Sequence, residues 1–238
     1  MADEKKVVLF IVEGPSEETA LEPLFKQLFD RKLVQFHVTH CDITSDRQSQ
    51  ARTIKSAAGD CIKAVRERYR YKPGDFLRVI QIIDTDGAFI PDECVRNIMA
   101  DGGGKTLIYT ETGIEAINPD KIIQRNQRKR ANVGVLYTAS KISNIPYSMY
   151  YFSRNMEHVL HGDAGDPSDD EKRDYAEAFA ERYEGDIEGF KLLMRSNELA
   201  VHGDYGETWQ YVFTGTNSLK RGSNLRVLLD SLDEVEKS

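Results

Sequence analysis

Lys6-Val7-Val8-Leu9-Phe10-Ile11-Val12 runs directly into Glu13-Gly14-Pro15-Ser16. A short, nearly unbroken apolar run reads as a strand covered on both faces, the habit of parallel sheets. The Gly-Pro-Ser that stops it opens a helix. Ser16 is placed to cap that helix, and Glu17 and Glu18 fall in its first turn, where carboxylates suit the positive end of the dipole. Ala20/Leu21, Leu24/Phe25 and Leu28/Phe29 then share one face at helical spacing.

Working outward, Val34–Cys41 alternates and reads as a second strand. Ser45 to Arg70 reads as a helix, with Ile54, Ala58, Cys61, Ile62, Val65 and Tyr69 on one stripe and the Lys72-Pro73-Gly74-Asp75 turn as its stop. Phe76–Ile83 is another apolar run, ending in Asp84-Thr85-Asp86-Gly87. A βαβαβ order of this kind implies parallel strands joined by right-handed crossovers. Ala88 to Asn132 is less regular, with a glycine loop at Gly102–Gly104 and a basic stretch from Lys121 to Arg130. Val133–Ala139 and Pro146–Phe152 read as further strands, and Gly162–Asp170 as an acidic, turn-rich loop. The remainder of the chain reads as helical, with Tyr175/Phe179/Tyr183 and Leu225/Leu228/Leu229/Leu232 as apolar stripes. The expectation is an α/β chain. Residues 1–162 form a domain with a mainly parallel central sheet, and residues 163–238 form a helical C-terminal extension packed on it.

The chain is long enough, at 238 residues, to bury a full core, and its 40% hydrophobic and 30% charged residues are ordinary for a soluble protein. A formal net charge of -7 means that contact with a polyanion would have to use a local basic patch or a bridging metal. No apolar run approaches the ~20 residues of a membrane span, and the charged start does not read as a signal peptide. Cys41, Cys61 and Cys94 are widely spaced and odd in number. That pattern suits reduced thiols in a cytoplasm rather than a disulfide framework.

Parallel strands send their carboxyl ends to one side of a sheet, where ligands bind. Glu13 follows the first run, and Asp84 and Asp86 follow the third. If these strands are neighbours, their carboxylates converge, and Glu17 is one turn away. Unit charges ~4 Å apart at an effective dielectric of ~20 repel by about 4 kcal/mol per pair. Clustered carboxylates therefore need a cation or a raised pKa. An all-oxygen set suits Mg²⁺ or Mn²⁺, which polarises a phosphoryl oxygen and activates water. The alternative is that these acids are only the polar ends of buried strands, with Asp86-Gly87 a turn.

Val12-Glu13-Gly14-Pro15-Ser16-Glu17-Glu18, together with Ile82-Ile83-Asp84-Thr85-Asp86-Gly87, resembles a TOPRIM domain. The likeness is strongest to the overcoming-lysogenization-defect (OLD) nucleases and the small RloB-like proteins of bacterial defence loci. The match covers roughly the first 90 residues. It implies a Rossmann-like domain and Mg²⁺-dependent cleavage of DNA or RNA, in the service of antiviral defence. Glu13, Asp84 and Asp86 would hold the metal, and Glu17 matches the second acid of the OLD type. Ser143-Asn144-Ile145-Pro146, with Glu157-His158 and His161, faintly resembles a Ser-Asn-Pro…Glu…His stretch of RloB-like proteins, at a different spacing. No ATPase domain accompanies the TOPRIM-like part, so a separate ATPase partner, a homo-oligomer, or a non-catalytic subunit of an ATPase-sensor complex all fit the resemblance.

Asp84-Thr85-Asp86-Gly87 also resembles the first motif of haloacid-dehalogenase-type phosphatases, in which the first Asp attacks phosphorus and the second is acid/base. Gly162-Asp163-Ala164-Gly165-Asp166 only superficially offers that family's later acidic motif, and this reading leaves Glu13 unused. Gly102-Gly103-Gly104-Lys105-Thr106 is not a phosphate loop, because Met99 stands where the pattern requires glycine. His37 and His40 would face opposite sides of a strand, so with Cys41 they do not make a zinc site. Lys121, Arg125, Arg128, Lys129 and Arg130 are either a solvated helix face or a phosphate-backbone track. Lys141 is a candidate for steadying transition-state charge. Glu157 and His161, i and i+4 on a helix, suit a general base, an extra metal ligand or a surface ion pair.

Overall fold

The computed structural model describes residues 6–28, 34–40, 43–44, 53–98, 106–162, 165 and 167–236. The chain forms two compact units, the first from Met1–Ile83, Asn132–Tyr150 and Ala176–Phe190, the second from Asp84–Ala131, Tyr151–Tyr175 and Lys191–Ser238.

The first unit begins with β1 (Lys6–Val12), in which Val7 to Val12 are completely buried. The continuous apolar run is therefore a strand covered on both faces. α1 (Pro15–Leu28) comes next. The Glu18 N–H donates to the Gly14 carbonyl, so the helix starts on Pro15, whose fixed φ and missing N–H suit a first helical position. Ser16, expected as the cap, lies inside the helix. Ala20, Leu21, Leu24, Phe25 and Leu28 are buried, and Phe25 stacks on Phe10 of β1 with ring centroids 4.2 Å apart. β2 (Val34–His40) pairs parallel with β1, Leu9 opposite His37. α2 (Ile54–Tyr69) buries Ile54, Ala58, Cys61, Ile62 and Val65. Tyr69, expected on that stripe, is instead 42% exposed. Arg70 closes the helix in the left-handed region at φ 61, its N–H bonded to the Arg66 carbonyl.

β3 (Phe76–Asp84) pairs parallel with β1 on the side away from β2, Phe10 opposite Ile80. The short β7 (Lys141–Ile142) and β8 (Ile145–Phe152) complete a sheet of order β2-β1-β3-β8-β7. Ser143 and Asn144 join these two strands with φ of 51 and 64, a two-residue type I′ hairpin turn.

In the second unit β4 (Val95–Asn97), β5 (Leu107–Tyr109) and β6 (Ile114–Ala116) form a small sheet of order β4-β6-β5. Ile90, Val95, Ile114 and Leu219 make its core. α3 spans Pro119–Leu136. The expected strand at Val133–Ala139 is thus largely the end of this helix. Val133 and Leu136 are both fully buried and three residues apart, a helical rather than an alternating repeat. The later helices are α4 (Met156–His161), α5 (Asp169–Arg182), α6 (Ile187–Met194), α7 (Tyr205–Val212) and α8 (Leu225–Glu236). Leu225, Leu228, Leu229 and Leu232 are buried along α8 as their spacing predicts. Arg195 pairs there with Asp230 and Asp233, and Lys191 with Asp233.

The chain is therefore α/β, with mostly parallel strand pairing. Among the described residues no helix is long and apolar enough to cross a membrane. The expectation of reduced thiols holds for Cys94 and fails for Cys61, which is disulfide-bonded. Cysteine number and spacing carry no information about which side chains the fold brings together. Gly102–Gly104, Cys41, Asp163 and Asp166 lie outside the described residues.

Candidate functional site

β3 leaves the sheet at Asp84, which is 9% exposed, and the next residues make a tight turn. Asp86 and Gly87 both have positive φ, 50 and 62, and the Ala88 N–H donates to the Thr85 carbonyl at 2.8 Å, a type I′ geometry. Gly87 has a second reason to be glycine. A Cβ there would come within 2.5 Å of Leu219 Cδ2.

Thr85 fixes the turn. Its hydroxyl accepts from the Arg154 N–H at 2.7 Å and donates to the Ser218 carbonyl at 3.0 Å, all buried. Its own N–H donates to the Phe152 carbonyl, and that of Asp86 donates to the Arg154 carbonyl. Arg154 itself has φ 62, and its guanidinium lies 4.5 Å from the centroid of the Tyr109 ring. A turn so constrained holds its carboxylates in fixed positions, as a site for charge must.

Asp86 Oδ2 accepts from Lys129 Nζ at 2.5 Å, with Lys129 fully buried and the Asp86 side chain 29% exposed. Arg125 donates to the Asp86 carbonyl at 2.8 Å and to the Tyr109 hydroxyl at 3.2 Å. Burial alone would push the Asp86 carboxyl up. The charges of Lys129 and Arg125, and the Lys129 hydrogen bond, outweigh it and hold Asp86 below the usual carboxylate range. Burial pushes the Tyr109 hydroxyl up. Beside Arg125, Asn126 is fully buried; its Oδ1 accepts from the Arg125 guanidinium, while its Nδ2 has no hydrogen-bond partner among the described residues. An orphaned buried donor is uncommon and marks a place where water or a ligand group belongs.

The other residues singled out in the sequence are more dispersed. Glu13, in the first unit, lies just beyond β1, and its Oε1 accepts from Thr44 Oγ1 at 2.6 Å. Glu17 is buried in α1. β1 and β3 are parallel neighbours in the sheet. The basic residues of α3 do not share one face. Lys121 is exposed, Lys129 is buried on Asp86, and Arg130 pairs with Asp92 at 2.5 Å. Arg128 has a buried Nε without a hydrogen-bond partner among the described residues. Lys141 is exposed in the β7–β8 hairpin. Glu157 is 2% exposed on α4, and His161 stacks on Tyr175 at 4.7 Å. Among the described residues no group of three or more His, Cys, Asp or Glu side chains is placed to hold a metal ion.

The sequence offered Lys129 as part of a solvated helix face or of a phosphate track, and neither reading includes its bond to Asp86. The signal was present: Ile122, Asn126, Lys129, Val133 and Leu136 recur at helical spacing, so Lys129 occupies a position on the buried stripe. Arg154 and Tyr109 carried no such signal. Compared with known proteins, the chain matches no family profile, no curated protein and no solved structure.

Proposed function

We propose that the chain is a Rossmann-like TOPRIM enzyme that cleaves phosphodiester bonds of DNA or RNA with Mg²⁺ or Mn²⁺. The observation that carries this reading is the Asp84–Gly87 turn. It presents carboxylates at the carboxyl end of a parallel strand, the position at which open α/β sheets bind ligands. A set of three acids is not required for this chemistry. Mg²⁺ is commonly held by one or two carboxylates, with waters and substrate phosphate completing the shell. Asp84 and Asp86 fit that donor chemistry, and the resemblance adds Glu13 and Glu17 to them. When bound, the ion would polarise a phosphoryl oxygen and activate water.

The chain's own groups have separate tasks. Lys129 keeps Asp86 ionised and oriented, and Arg125 fixes the turn through the Asp86 carbonyl. Cationic charge from Arg125 and Arg154 beside the turn would offset the substrate phosphate. The partner ATPase, the homo-oligomer and the defence role rest on the resemblance, the cytoplasmic setting rests on the sparse cysteines, and all belong to the same proposal.

Haloacid-dehalogenase-type phosphatase chemistry stands second, because it needs Asp86 as a proton donor. A carboxyl held below its usual range is a poor acid. The test is cleavage of plasmid DNA and RNA with Mn²⁺, alongside hydrolysis of p-nitrophenyl phosphate. Both should be run on wild type, Asp84→Asn and Glu13→Gln. Nucleic-acid cleavage lost in both variants supports the proposal. Phosphomonoester hydrolysis that survives Glu13→Gln but not Asp84→Asn would replace it with the phosphatase. Purified chain inactive on every substrate would favour the non-catalytic subunit.

A further inference from the structure

The sequence between Lys63 and Lys72 reads Lys-Ala-Val-Arg-Glu-Arg-Tyr-Arg-Tyr-Lys. Lys63, Arg66, Arg68, Arg70 and Lys72 stand there against a single acid, Glu67, in a chain of net charge -7. Cations at a helix C-terminus suit the dipole, which accounts for Arg66 and Arg68 in the last turn of α2. It does not account for Arg70 and Lys72 beyond the helix, nor for the aromatic rings set between the charges.

Those rings form a graded series at β2, the edge strand of the first unit's sheet. His37 on β2 lies 4.1 Å from the Tyr69 ring and shares a 2.6 Å hydrogen bond with the Tyr71 hydroxyl. Tyr69 and Tyr71 lie near parallel, 5.8 Å apart, and Tyr71 rests edge-on against the buried Phe76. Tyr71 is therefore anchored, while Tyr69 stays 42% exposed although a helical stripe could have buried it. Burial on the sheet pushes the His37 imidazole below its ordinary value.

Beside Tyr71, the side chains of Lys63, Arg66, Glu67 and Arg70 line with it a cleft of about 300 Å³, which Tyr69 does not line. Lys63 approaches Glu67 only at 3.7 Å, with both side chains more than 60% exposed, so this pair neutralises little. Arg66, Arg68, Arg70 and Lys72 form no salt bridge among the described residues, and the Arg66 Nε is buried without a hydrogen-bond partner there. The Arg68 guanidinium lies over the Tyr69 ring, 5.4 Å from its centroid, so the patch offers one exposed ring with positive charge beside it that no salt bridge among the described residues neutralises.

We infer that this face binds single-stranded nucleic acid, with the cations along the phosphates and a base stacked on Tyr69. Single strands are held by this combination, because every base has a π-face and every phosphate a charge. An acidic polypeptide would use the cations but has no use for the exposed Tyr69 ring, and duplex DNA keeps its bases inside. The inference does not depend on the Asp84 chemistry, since it predicts binding with no metal present.

The experiment is fluorescence anisotropy of the full chain with a fluorescein-labelled oligothymidylate of about 12 nucleotides, in EDTA at low salt. The same measurement on oligouridylate distinguishes DNA from RNA. Saturable binding is expected, weakened on the order of tenfold by Tyr69→Ala and preserved by Tyr69→Phe. Arg66→Gln and Arg70→Gln should each reduce the slope of log K against log salt by about 0.7, the single-strand value per phosphate contact. No saturable binding, equal affinity for duplex of the same sequence, equal competition by polyglutamate, or an unchanged Tyr69→Ala would each overturn the inference. Binding retained in Asp84→Asn while cleavage is lost keeps both readings. Binding without cleavage in wild type removes the hydrolytic one alone.

Discussion

Lys129→Met isolates the ion pair on which the geometry of the turn depends. The lysine is fully buried, and its Nζ lies 2.5 Å from Asp86 Oδ2. Methionine nearly conserves the volume of the stem, so packing should change little and the charge alone is removed. Removing one partner of a buried pair costs about 3–5 kcal/mol, because the other is left uncompensated. Here the cost belongs near the lower end. The Asp86 side chain keeps 29% of its surface in solvent, and Arg125 still lies against its backbone. We therefore expect a loss of about 3 kcal/mol, or roughly 6–12 °C in Tm for a chain of this size.

The pH dependence supplies the second readout. The folded Asp86 pKa is depressed, so the pair contributes its full stability above the unfolded carboxylate value and loses it as pH falls through the folded value. In Lys129→Met that pKa rises toward or above the ordinary range. The difference in Tm between wild type and variant should then be largest near pH 7 and shrink in acid, where Asp86 is protonated in both. Adding Asp86→Asn to Lys129→Met should recover much of the loss, as a neutral pair needs no counter-ion. Thermal melts at pH 7 and at steps down through pH 3 and below, under the depressed folded value of Asp86, measure all three chains. A Lys129→Met chain melting within 1 °C of wild type at pH 7, or a gap that does not shrink in acid, would show that the pair is not what holds the turn.

Three further substitutions test the same region and the first unit. Thr85→Val keeps the shape but leaves the Arg154 N–H and the Ser218 carbonyl without their shared hydroxyl, and should cost about 3 kcal/mol in a urea melt. Gly87→Ala meets Leu219 at 2.5 Å with φ at 62, and should cost about 2 kcal/mol; an unchanged midpoint would contradict the turn geometry. Asn144→Gly, at φ 64 in the second position of the type I′ hairpin, should instead raise stability by about 0.5 kcal/mol, read as a small upward shift in the same transition.

The division between what the sequence discloses and what it hides depends on which signals are local. β1, α1, α2 and β3 are legible because each buries a face whose spacing repeats within its own residues, and a run such as Val7–Val12 admits few other structures. The three-residue strands of the small sheet are too short to repeat a period, so only the fold defines them. The acids at the strand ends are legible as candidates, since a carboxylate after a buried run is conspicuous. The partner of Asp86 is not, because Lys129 is 43 residues away in the chain. It also sits among Arg125, Arg128 and Arg130, where charge density argues for solvent. The two cues on α3 conflict at this position: composition says exposed, and the Ile122–Asn126–Lys129–Val133 spacing says buried. Spacing prevails because a helix turns 100° per residue whatever it carries, and a lysine on its buried stripe must find an acid or lose its charge. Asp86, at the end of a strand whose own burial is beyond doubt, is the acid it finds. The charge that looks most like a surface ornament is thereby the one most tightly tied to the candidate site.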